Sequence, residues 1–371
     1  MAKPPLDKFE NEFWPYQRYG HTVVSYGKKI YLFGGRNDNH SCNRLYCFDT
    51  DTHKWSCPDV CGYIPAARQV SKSNCFKNSN LKLNILTFFS FFFICRDGHS
   101  ACVVNDAMYV FGGYDDSVQD DHERPVQVFR LCLKQFEWTL VRCRGNLPLY
   151  RDFHTATAIG DKMFIFGGRS DSLNAAYNRL EEYYSDQLVY LDLSSNEWIE
   201  PNILGCRPRG RRSHSAVNLD GNLLIFGGFN GNTKEHMNDM WLLDTCTWTW
   251  RQIQPHGEGP EPRRRQALCQ VGRQLFLFGG TSPHYGLQIY FTPEQQSFMP
   301  DHQPSNLIDH NDMYVLDLAP SLRSLCIDYV NRHSHLFDMN CLPKSIRFDI
   351  DNMTVANEIS KPLQFRVLPV G

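Results

Sequence analysis

Two arginine-rich stretches hold the side chains of this sequence that are best suited to bind a ligand. The first, CRPRGRRSHS, ends at Ser215, and the second, EPRRRQ, ends at Gln266. The planar guanidinium of arginine can donate two parallel charge-assisted hydrogen bonds to a carboxylate. The two stretches therefore permit an anion-binding site. The alternative is solvated surface charge, or local pairing with acidic loops.

Motifs for catalysis and for metal binding are missing from the sequence. It contains no G-x-S-x-G, no P-loop and no H-E-x-x-H. Cysteine pairs such as Cys57 with Cys61, or Cys42 with Cys47, have no matching second half at zinc-ligand spacing. We therefore predict no catalytic residue, no metal site and no cofactor, and expect a protein that is not an enzyme.

The composition restricts the partners and the compartment. The 371 residues carry a formal net charge of −2, which gives no electrostatic footprint for nucleic acid or for an acidic membrane surface. The N-terminus, MAKPPLDKFENEF, lacks the apolar stretch of a signal peptide. We therefore expect the 14 cysteines to be reduced thiols, and expect the protein in the cytoplasm and the nucleus.

An internal repeat defines the elements that must position the arginines. Five short apolar runs each end in a double glycine, at Gly35, Gly113, Gly168, Gly228 and Gly280. Each run follows a polar turn that begins with an arginine three places before His or Gln, namely Arg18, Arg96, Arg151, Arg211 and Arg263. After four of the double glycines a further strand leads to a tryptophan, at Trp55, Trp138, Trp198 and Trp250.

Each repeat predicts four short strands, as in HTVVSY, KIYLFGG, RLYCFDT and HKWSCP. Four-stranded units that repeat in this way are typical of the blades of a β-propeller. We expect the glycines to lie where strands crowd a central channel and leave no space for a Cβ. We expect the repeated Arg, His, Asp and Trp to be mostly blade-packing residues, with each tryptophan pressed on the next blade.

This pattern resembles the kelch repeat, and the resemblance covers residues 16–318. It implies an all-β, kelch-type β-propeller, followed by a short helical tail at 319–371. Propellers of this kind resemble six-bladed rings, whereas five double glycines are present. We therefore interpret residues 1–15 as a remnant and expect that the first blade is missing from an incomplete gene model. A ring that closes with fewer blades is the alternative.

The phenylalanine-dense stretch LKLNILTFFSFFFICR interrupts the repeat. The first and second double glycines lie 78 residues apart, against 55, 60 and 52 for the later steps. Removal of residues 69–96 would shorten that step to 50 and restore an R-x-x-H turn from Arg68 to His99. The apolar part is too short for a bilayer, which needs about 20 residues. Its codons can supply a pyrimidine tract before AG, so we predict a translated, retained intron.

The tail contains two short motifs that could bind partner proteins. Pro320 and Ser321 can open a helix, in which Leu322, Leu325, Cys326 and Tyr329 share one face. Packing of this helix on the propeller is the simplest explanation. However, the segment from Ser321 to Val330 also resembles an elongin-binding box. The segment LPKSIRFDI resembles a cullin-2 box, which has the pattern Φ-P-x-x-Φ-x-x-x-Φ. A cullin-5 box would instead have proline at the position of Ser345.

These resemblances together imply a substrate receptor of a cullin-2 RING ubiquitin ligase, with elongin B/C, cullin-2 and a RING subunit as partners. The implied elongin box is Leu322, Leu325, Cys326 and Val330, and the implied cullin box is Leu342, Pro343, Ile346 and Ile350. Kelch receptors of this group resemble readers of C-terminal degrons, which bind a free, often glycine-ended carboxylate. That role is carried first onto Arg211, and then onto Arg212, Ser215, Arg264 and Arg265.

Two further interpretations remain open. A nuclear or chromatin-associated scaffold is suggested by a resemblance to the propeller of the recombination-activating proteins. A cytoskeletal kelch scaffold is less well supported, since no BTB-type oligomerisation domain precedes the repeats. The kelch family also includes a copper oxidase. Here, however, the histidines recur at one place in the repeat, which indicates packing and not a single metal site.

Overall fold

The computed structural model describes residues 18–36, 42–65, 98–113, 126–171, 182–257, 259–283 and 307–354. The chain divides into two compact units: an N-terminal unit, Pro4–Arg265, and a C-terminal unit that comprises Gln266–Gly371 together with Met1–Lys3. The predicted remnant at 1–15 and the predicted insertion at 69–96 lie outside the described residues. Both therefore stay predictions.

The N-terminal unit contains four blades in its described residues, each built on antiparallel hairpins. The first blade consists of β1 (Tyr19–Tyr26), β2 (Lys29–Arg36), β3 (Leu45–Asp49) and β4 (Lys54–Ser56). The second consists of β5 (Cys61–Gly62), β6 (Ser100–Val104), β7 (Ala107–Phe111), β8 (Val128–Cys132) and β9 (Glu137–Val141). The four antiparallel strands of each blade follow the predicted pattern, and β5 adds a parallel edge strand beside β9.

The first arginine-rich stretch lies between the third and fourth blades, and the second follows the fourth blade. The third consists of β10 (Arg144–Gly145), β11 (Thr155–Ile159), β12 (Lys162–Phe166), the ribbon β13 (Arg169–Asp171) with β14 (Glu182–Tyr184), β15 (Leu188–Asp192) and β16 (Glu197–Ile199). The fourth consists of β17 (Ser215–Leu219), β18 (Asn222–Asn230), β19 (Glu235–Asp244) and β20 (Thr249–Ile253). The hairpin between β17 and β18 turns at Asp220 and Gly221, both with positive φ, as a type I′ turn requires.

Consecutive blades of the N-terminal unit pack through a repeated set of three rings. Phe166, which precedes a double glycine, lies 5.5 Å from the ring of His214 and 5.5 Å from that of Trp250, both in the next blade. The same arrangement recurs at Phe33 and at Phe111. Three buried apolar clusters, one between each pair of consecutive blades, surround these rings. The prediction that the repeated His and Trp are blade-packing residues is confirmed there.

At Gly112 and Gly167, the first glycine of the double glycine is required by the neighbouring blade. A Cβ on Gly167 would lie 2.4 Å from the carbonyl oxygen of Arg211 and 2.7 Å from Cε1 of His214. The second glycine, Gly168, donates a backbone hydrogen bond of 2.8 Å to that same Arg211 oxygen. The close approach of the next blade's turn therefore excludes a side chain here.

The C-terminal unit contains a fifth, three-stranded blade and a helical tail. The blade consists of β21 (Ala267–Val271), β22 (Gln274–Pro283) and β23 (Leu307–Asp317). Helices α1 (Leu322–Arg332) and α2 (Lys344–Thr354) flank two single 3₁₀ turns, Ser334–Leu336 and Met339–Cys341. The predicted fold class, an all-β propeller with a short helical tail, is confirmed.

Helix α1 begins as the sequence predicts. The hydroxyl of Ser321 caps it by accepting a 3.0 Å hydrogen bond from the backbone N–H of Ser324. An ion pair of 2.7 Å between Arg323 and Asp349 joins α1 to α2. In the described part of the chain, no helix is both long and apolar enough to cross a membrane.

Candidate functional site

The R-x-x-H turns of the N-terminal unit are joined to one another by backbone hydrogen bonds. In each turn the third residue has a positive φ, and from the second turn onward its N–H donates to the carbonyl oxygen of the third residue of the preceding turn. These residues are Gly20, Gly98, Phe153, Ser213 and Arg265, with N···O distances of 2.8–3.3 Å. The chain of bonds fixes the turns in one orientation, so that equivalent turn positions can be compared directly.

The first arginine of each turn serves the blade itself. Arg211 is fully buried, and its Nη1 donates to the carbonyl oxygen of Gly227 at 3.0 Å. Its Nη1 and Nη2 also bind both carboxylate oxygens of Asp239, at 2.5 and 2.9 Å. Arg18 and Arg151 donate to their own double glycines in the same way. Arg211, ranked first as a carboxylate-binding residue, is thus engaged in a fold contact that repeats from blade to blade.

Ser215 also occupies a blade-packing position. It is buried and is the residue that directly follows the turn histidine. At this position Thr22 and Thr155 hydrogen-bond to Nε2 of the next blade's histidine, at 3.1 and 2.9 Å. Its place in the repeat therefore favours a structural role over ligand binding.

The second residue of the turn, which differs between blades, forms the candidate site. Arg212 forms a two-hydrogen-bond bridge with Phe229, the residue that follows the double glycine, with N···O distances of 2.9 and 3.0 Å. Phe229 is in turn paired with His236 across β18 and β19. Directly opposed residues project from the same face of a sheet, so the register places Arg212, Phe229 and His236 in one row.

A second arginine completes the site. The guanidinium carbon of Arg264 lies 4.6 Å from the centroid of the Phe229 ring, and that of Arg212 lies 5.5 Å from it. Both side chains are half-buried. The Nε atoms of Arg212 and Arg264 and the Nε2 atom of His236 are buried, and none has a hydrogen-bond partner among the described residues. Three nitrogens that can donate hydrogen bonds are therefore gathered around one aromatic ring.

Burial and the crowding of positive charge lower the pKa values of two groups in the site. Burial, then the neighbouring charges of Arg265 and Arg212, lower the pKa of Arg264 to about 10. Burial, then Arg264 and Arg212, lower the pKa of His236 to about 4, so its imidazole is neutral at pH 7. Arg265 is exposed beside the pair. The site therefore presents two cations and one neutral imidazole, a combination that can bind a carboxylate.

An ionic network in the third blade borders the site. Arg169 binds Asp152 at 2.7 Å and Glu182 at 2.9 Å, while the hydroxyl of Tyr184 donates to Glu182. Burial alone would raise the pKa of Glu182, but the Tyr184 hydrogen bond and the Arg169 charge lower it overall. The Tyr184 ring lies 5.9 Å from the Arg212 guanidinium. These acidic groups are already engaged by Arg169, which leaves the Arg212–Arg264 pair available.

Of the five predicted carboxylate-binding residues, the structure brings together Arg212, Arg264 and Arg265. Sequence reasoning missed Phe229 and His236. A usable signal existed, because both positions vary between repeats, whereas the first arginine recurs in all five turns and the histidine in four of them. In the described residues no cluster of three or more His, Cys, Asp or Glu side chains could hold a metal ion.

The residues of the two partner motifs differ in their exposure. In the elongin box, Leu322 is 77% exposed and Leu325 is 51% exposed. Cys326 is exposed and Val330 is half-buried. In the cullin box, Pro343 is exposed, Leu342 and Ile346 are half-buried, and Ile350 is only 4% exposed. Ile350 is thus taken up by the protein's own packing, whereas the predicted α1 stripe faces solvent in the C-terminal unit.

Comparison with known proteins identifies the class. A family model described as the KLHDC2/KLHL20/DRC7 Kelch-repeats domain matches residues 10–84 and 69–280. The chain therefore belongs to this kelch-repeat family, and the resemblance predicted from the turns and double glycines is confirmed. The family is one of interaction modules, and no enzyme family is indicated.

Individual relatives define the relationship more closely. Kelch domain-containing protein 3 of Mus musculus is 39% identical over 353 residues, which are 94% of this chain and 80% of that protein. The protein of the same name from Homo sapiens is 38% identical over 353 residues. Host cell factor of Drosophila melanogaster is 27% identical over 284 residues, which are 72% of this chain and 16% of that protein. These relatives indicate a role in protein interaction.

Proposed function

We propose that this protein is the substrate-recognition subunit of a cullin-2 RING ubiquitin ligase, and that its propeller binds the free, glycine-ended C-terminus of substrates destined for degradation. The observation that carries the proposal is the stacking of Arg212 and Arg264 on Phe229, with buried Nε atoms that have no partner among the described residues. The chain makes and breaks no bond itself; its contribution is to hold the substrate near the ligase.

A free carboxylate suits this site for electrostatic and geometric reasons. It offers acceptors to the unsatisfied guanidinium nitrogens, and charge-assisted hydrogen bonds of this type are among the stronger ones in proteins. Burial, and then repulsion from Arg265 and Arg212, lower the pKa of Arg264, and the negative charge of a carboxylate offsets that repulsion. Three aromatic rings, those of Phe153, Tyr184 and Phe229, lie within 6 Å of the Arg212 guanidinium carbon. A terminal glycine presents its carboxylate without a Cβ among these rings.

The exposed face of α1 supports the ligase assignment. Leu322 and Leu325 lie on the solvent side of the helix with most or half of their surface accessible, and Cys326 is exposed beside them. Apolar anchors at this spacing are typical of a helix that docks into a partner's groove. This arrangement fits an elongin box, and Leu342, Pro343 and Ile346 fit the start of a cullin-2 box.

The carboxylate proposal is tested with a random peptide pool that ends in glycine and lacks Asp, Glu and His. The full chain is immobilised, bound peptides are identified by mass spectrometry, and the affinity of the most enriched acetylated peptide is measured by fluorescence anisotropy. We expect Arg212→Ala and Arg264→Ala each to weaken binding about 10- to 100-fold, because each removes a charge-assisted contact of about 1.5–3 kcal/mol. Amidation of the peptide terminus should weaken binding similarly.

Arg209→Ala is the matched control, because this arginine is 72% exposed and pairs with Glu235. It should leave the affinity within about twofold. If the free acid and the amide bind equally well, or if the control variant loses as much affinity as the site variants, the carboxylate proposal is wrong.

The ligase assignment is tested by capture of purified elongin B/C on the full chain. The double variant Leu322→Ala with Cys326→Ala removes two exposed side chains and should abolish capture, while Phe348→Ala, at another exposed residue of the tail, should retain it. Unchanged capture by the double variant would remove the elongin box. Absence of elongin binding together with histone binding would instead favour the chromatin-associated scaffold.

A further inference from the structure

His236 lies in the candidate site but none of the sequence patterns pointed to it. Its ring centroid is 4.6 Å from that of Phe229, and the β18–β19 register places the two residues directly opposite each other. Its Nε2 is buried without a hydrogen-bond partner among the described residues. A buried imidazole nitrogen without a partner is costly for the folded protein, which suggests that a ligand supplies the missing partner.

The charges around His236 come from several elements. Arg212, before β17, and Arg264, after β20, are the two cations that act on it directly. Arg265 adds to the positive charge at Arg264. Glu182 on β14 interacts with Arg212, but it is bound by Arg169 and by the hydroxyl of Tyr184. The neighbouring Glu235 on β19 pairs with Arg209. In the absence of a ligand, the cations dominate.

We infer that His236 is a third ligand-binding side chain of the site, and that its imidazole takes up one proton from solvent when a carboxylate binds between Arg212 and Arg264. The inference rests on the proposed function, since it needs a carboxylate in that place. The bound carboxylate offsets the two positive charges that disfavour protonation and accepts a hydrogen bond from Nε2–H. The proton goes to the ring, which then carries a full positive charge toward the ligand.

The direction of the pH dependence follows from this uptake. In the free protein, burial and the two arginines lower the pKa of His236 to about 4 from its ordinary value of 6.5. The bound carboxylate opposes the effect of burial through its negative charge and its hydrogen bond to Nε2–H, and it offsets the effect of the arginines, so the pKa of His236 rises toward the ordinary value. A group that gains a proton on binding makes the complex tighter as the pH falls. Full return to the ordinary value would tighten binding about tenfold between pH 7.5 and 5.5.

The experiment measures proton uptake directly. The enriched acetylated peptide described above contains no Asp, Glu or His, and its terminal carboxylate, with a pKa of about 3.5, stays ionised across this range. Isothermal titration calorimetry of the full chain at pH 6, in two buffers with different ionisation enthalpies, counts the protons taken up. We expect a substantial fraction of one proton for the unmodified protein, and an affinity that rises severalfold from pH 7.5 to 5.5.

His236→Gln should abolish the uptake and flatten the pH profile, because glutamine keeps a hydrogen-bond donor but does not titrate. His256→Gln is the matched control at an exposed histidine and should leave both unchanged. Carboxylate-dependent binding without proton uptake, or uptake that persists in His236→Gln, would overturn the inference while leaving the proposed function intact. If the free acid binds no better than the amide, both fail.

Discussion

The third and fourth blades place different residues at the same three positions, with opposite electrostatic results. In the third blade the row is Asp152, Arg169 and Tyr184, and Arg169 is neutralised by Asp152 and Glu182 at 2.7 and 2.9 Å. In the fourth blade the row is Arg212, Phe229 and His236, and an aromatic ring stands where the third blade has its arginine. The arginine of the third-blade row is paired with carboxylates, whereas the arginine of the fourth-blade row has no ion pair with a described residue.

The difference shows where a repeat protein can build a binding site. Positions that recur in each blade, such as the first arginine of the turn, are committed to contacts that every blade needs. Positions that vary between blades, such as that of Arg212, are not needed for these contacts and can bind a ligand. The uncompensated charge in the fourth blade costs stability in isolation and is best explained by a ligand of opposite charge.

Two single variants, Arg169→Ala and Arg212→Ala, should show the difference between the third and fourth blades most clearly. Arg169→Ala takes a bidentate partner from Asp152, whose carboxylate is fully buried. We expect this change to destabilise the protein by about 3–5 kcal/mol, the usual effect of breaking a buried ion pair. Arg212→Ala should change stability by less than about 1 kcal/mol, since Arg212 makes no ion pair with a described residue. Urea unfolding followed by circular dichroism measures both.

Equal stability losses for these two variants would show that the two rows are electrostatically alike, contrary to the structure. A loss of stability in Arg212→Ala but not in Arg169→Ala would show that the fourth row, and not the third, holds the stabilising ion pair.

Conversion of the fourth row to the pattern of the third is expected to abolish ligand binding without unfolding. The double variant Arg212→Asp with Phe229→Arg recreates the Asp152–Arg169 pair at the bridged positions. Carboxylate binding should weaken by more than the about 10- to 100-fold expected for Arg212→Ala, because one cation becomes an anion and the aromatic platform is lost. The single variant Arg212→Ala is the reference for charge removal alone.

Fluorescence anisotropy with the enriched glycine-ended peptide provides the measurement, and a thermal melt confirms folding. A folded double variant that binds the peptide as well as the unmodified protein would show that the fourth row is not the binding site.

A pH-dependent effect is expected from His214, which belongs to the repeated set of residues. Burial, then the nearby charge of Arg211, lower its pKa to about 3, against 6.5 when the chain is unfolded. The unfolded state therefore binds more protons between about pH 6.5 and pH 3, so stability is full above pH 6.5 and is lost as the pH falls through that window. The slope reaches at most about 1.4 kcal/mol per pH unit.

His214→Gln should reduce this acid sensitivity, since glutamine already occupies the equivalent turn position at Gln266. Stability is measured by urea unfolding at pH 7, 6, 5 and 4. His256→Gln, at an exposed site, should leave the slope unchanged. An unchanged slope in His214→Gln would show that this histidine does not titrate as a buried neutral group.

The fold was predictable from the sequence because its signals are local. Three features recur along the chain: the double glycine, the R-x-x-H turn and the spaced tryptophan. Each corresponds to a contact between or within blades that the fold repeats. The start of α1 was predictable for the same reason, since Ser321 caps the helix through its own neighbour, Ser324. The apolar stripe on α1 also follows from spacing alone, and three of its residues are exposed by about half or more.

The sequence by itself determined which stretches carry the candidate site, but only the tertiary structure decided which arginines belong to it. Arg211 and Arg212 are adjacent in the chain, yet Arg211 turns inward to Gly227 and Asp239 while Arg212 stacks on Phe229. The reason is the register between the turn and the strand after the double glycine, which pairs Arg212 with Phe229 and places His236 beyond it. Phe229 and His236 lie 17 and 24 places after Arg212 in the chain, so no local sequence pattern predicts that the three are neighbours.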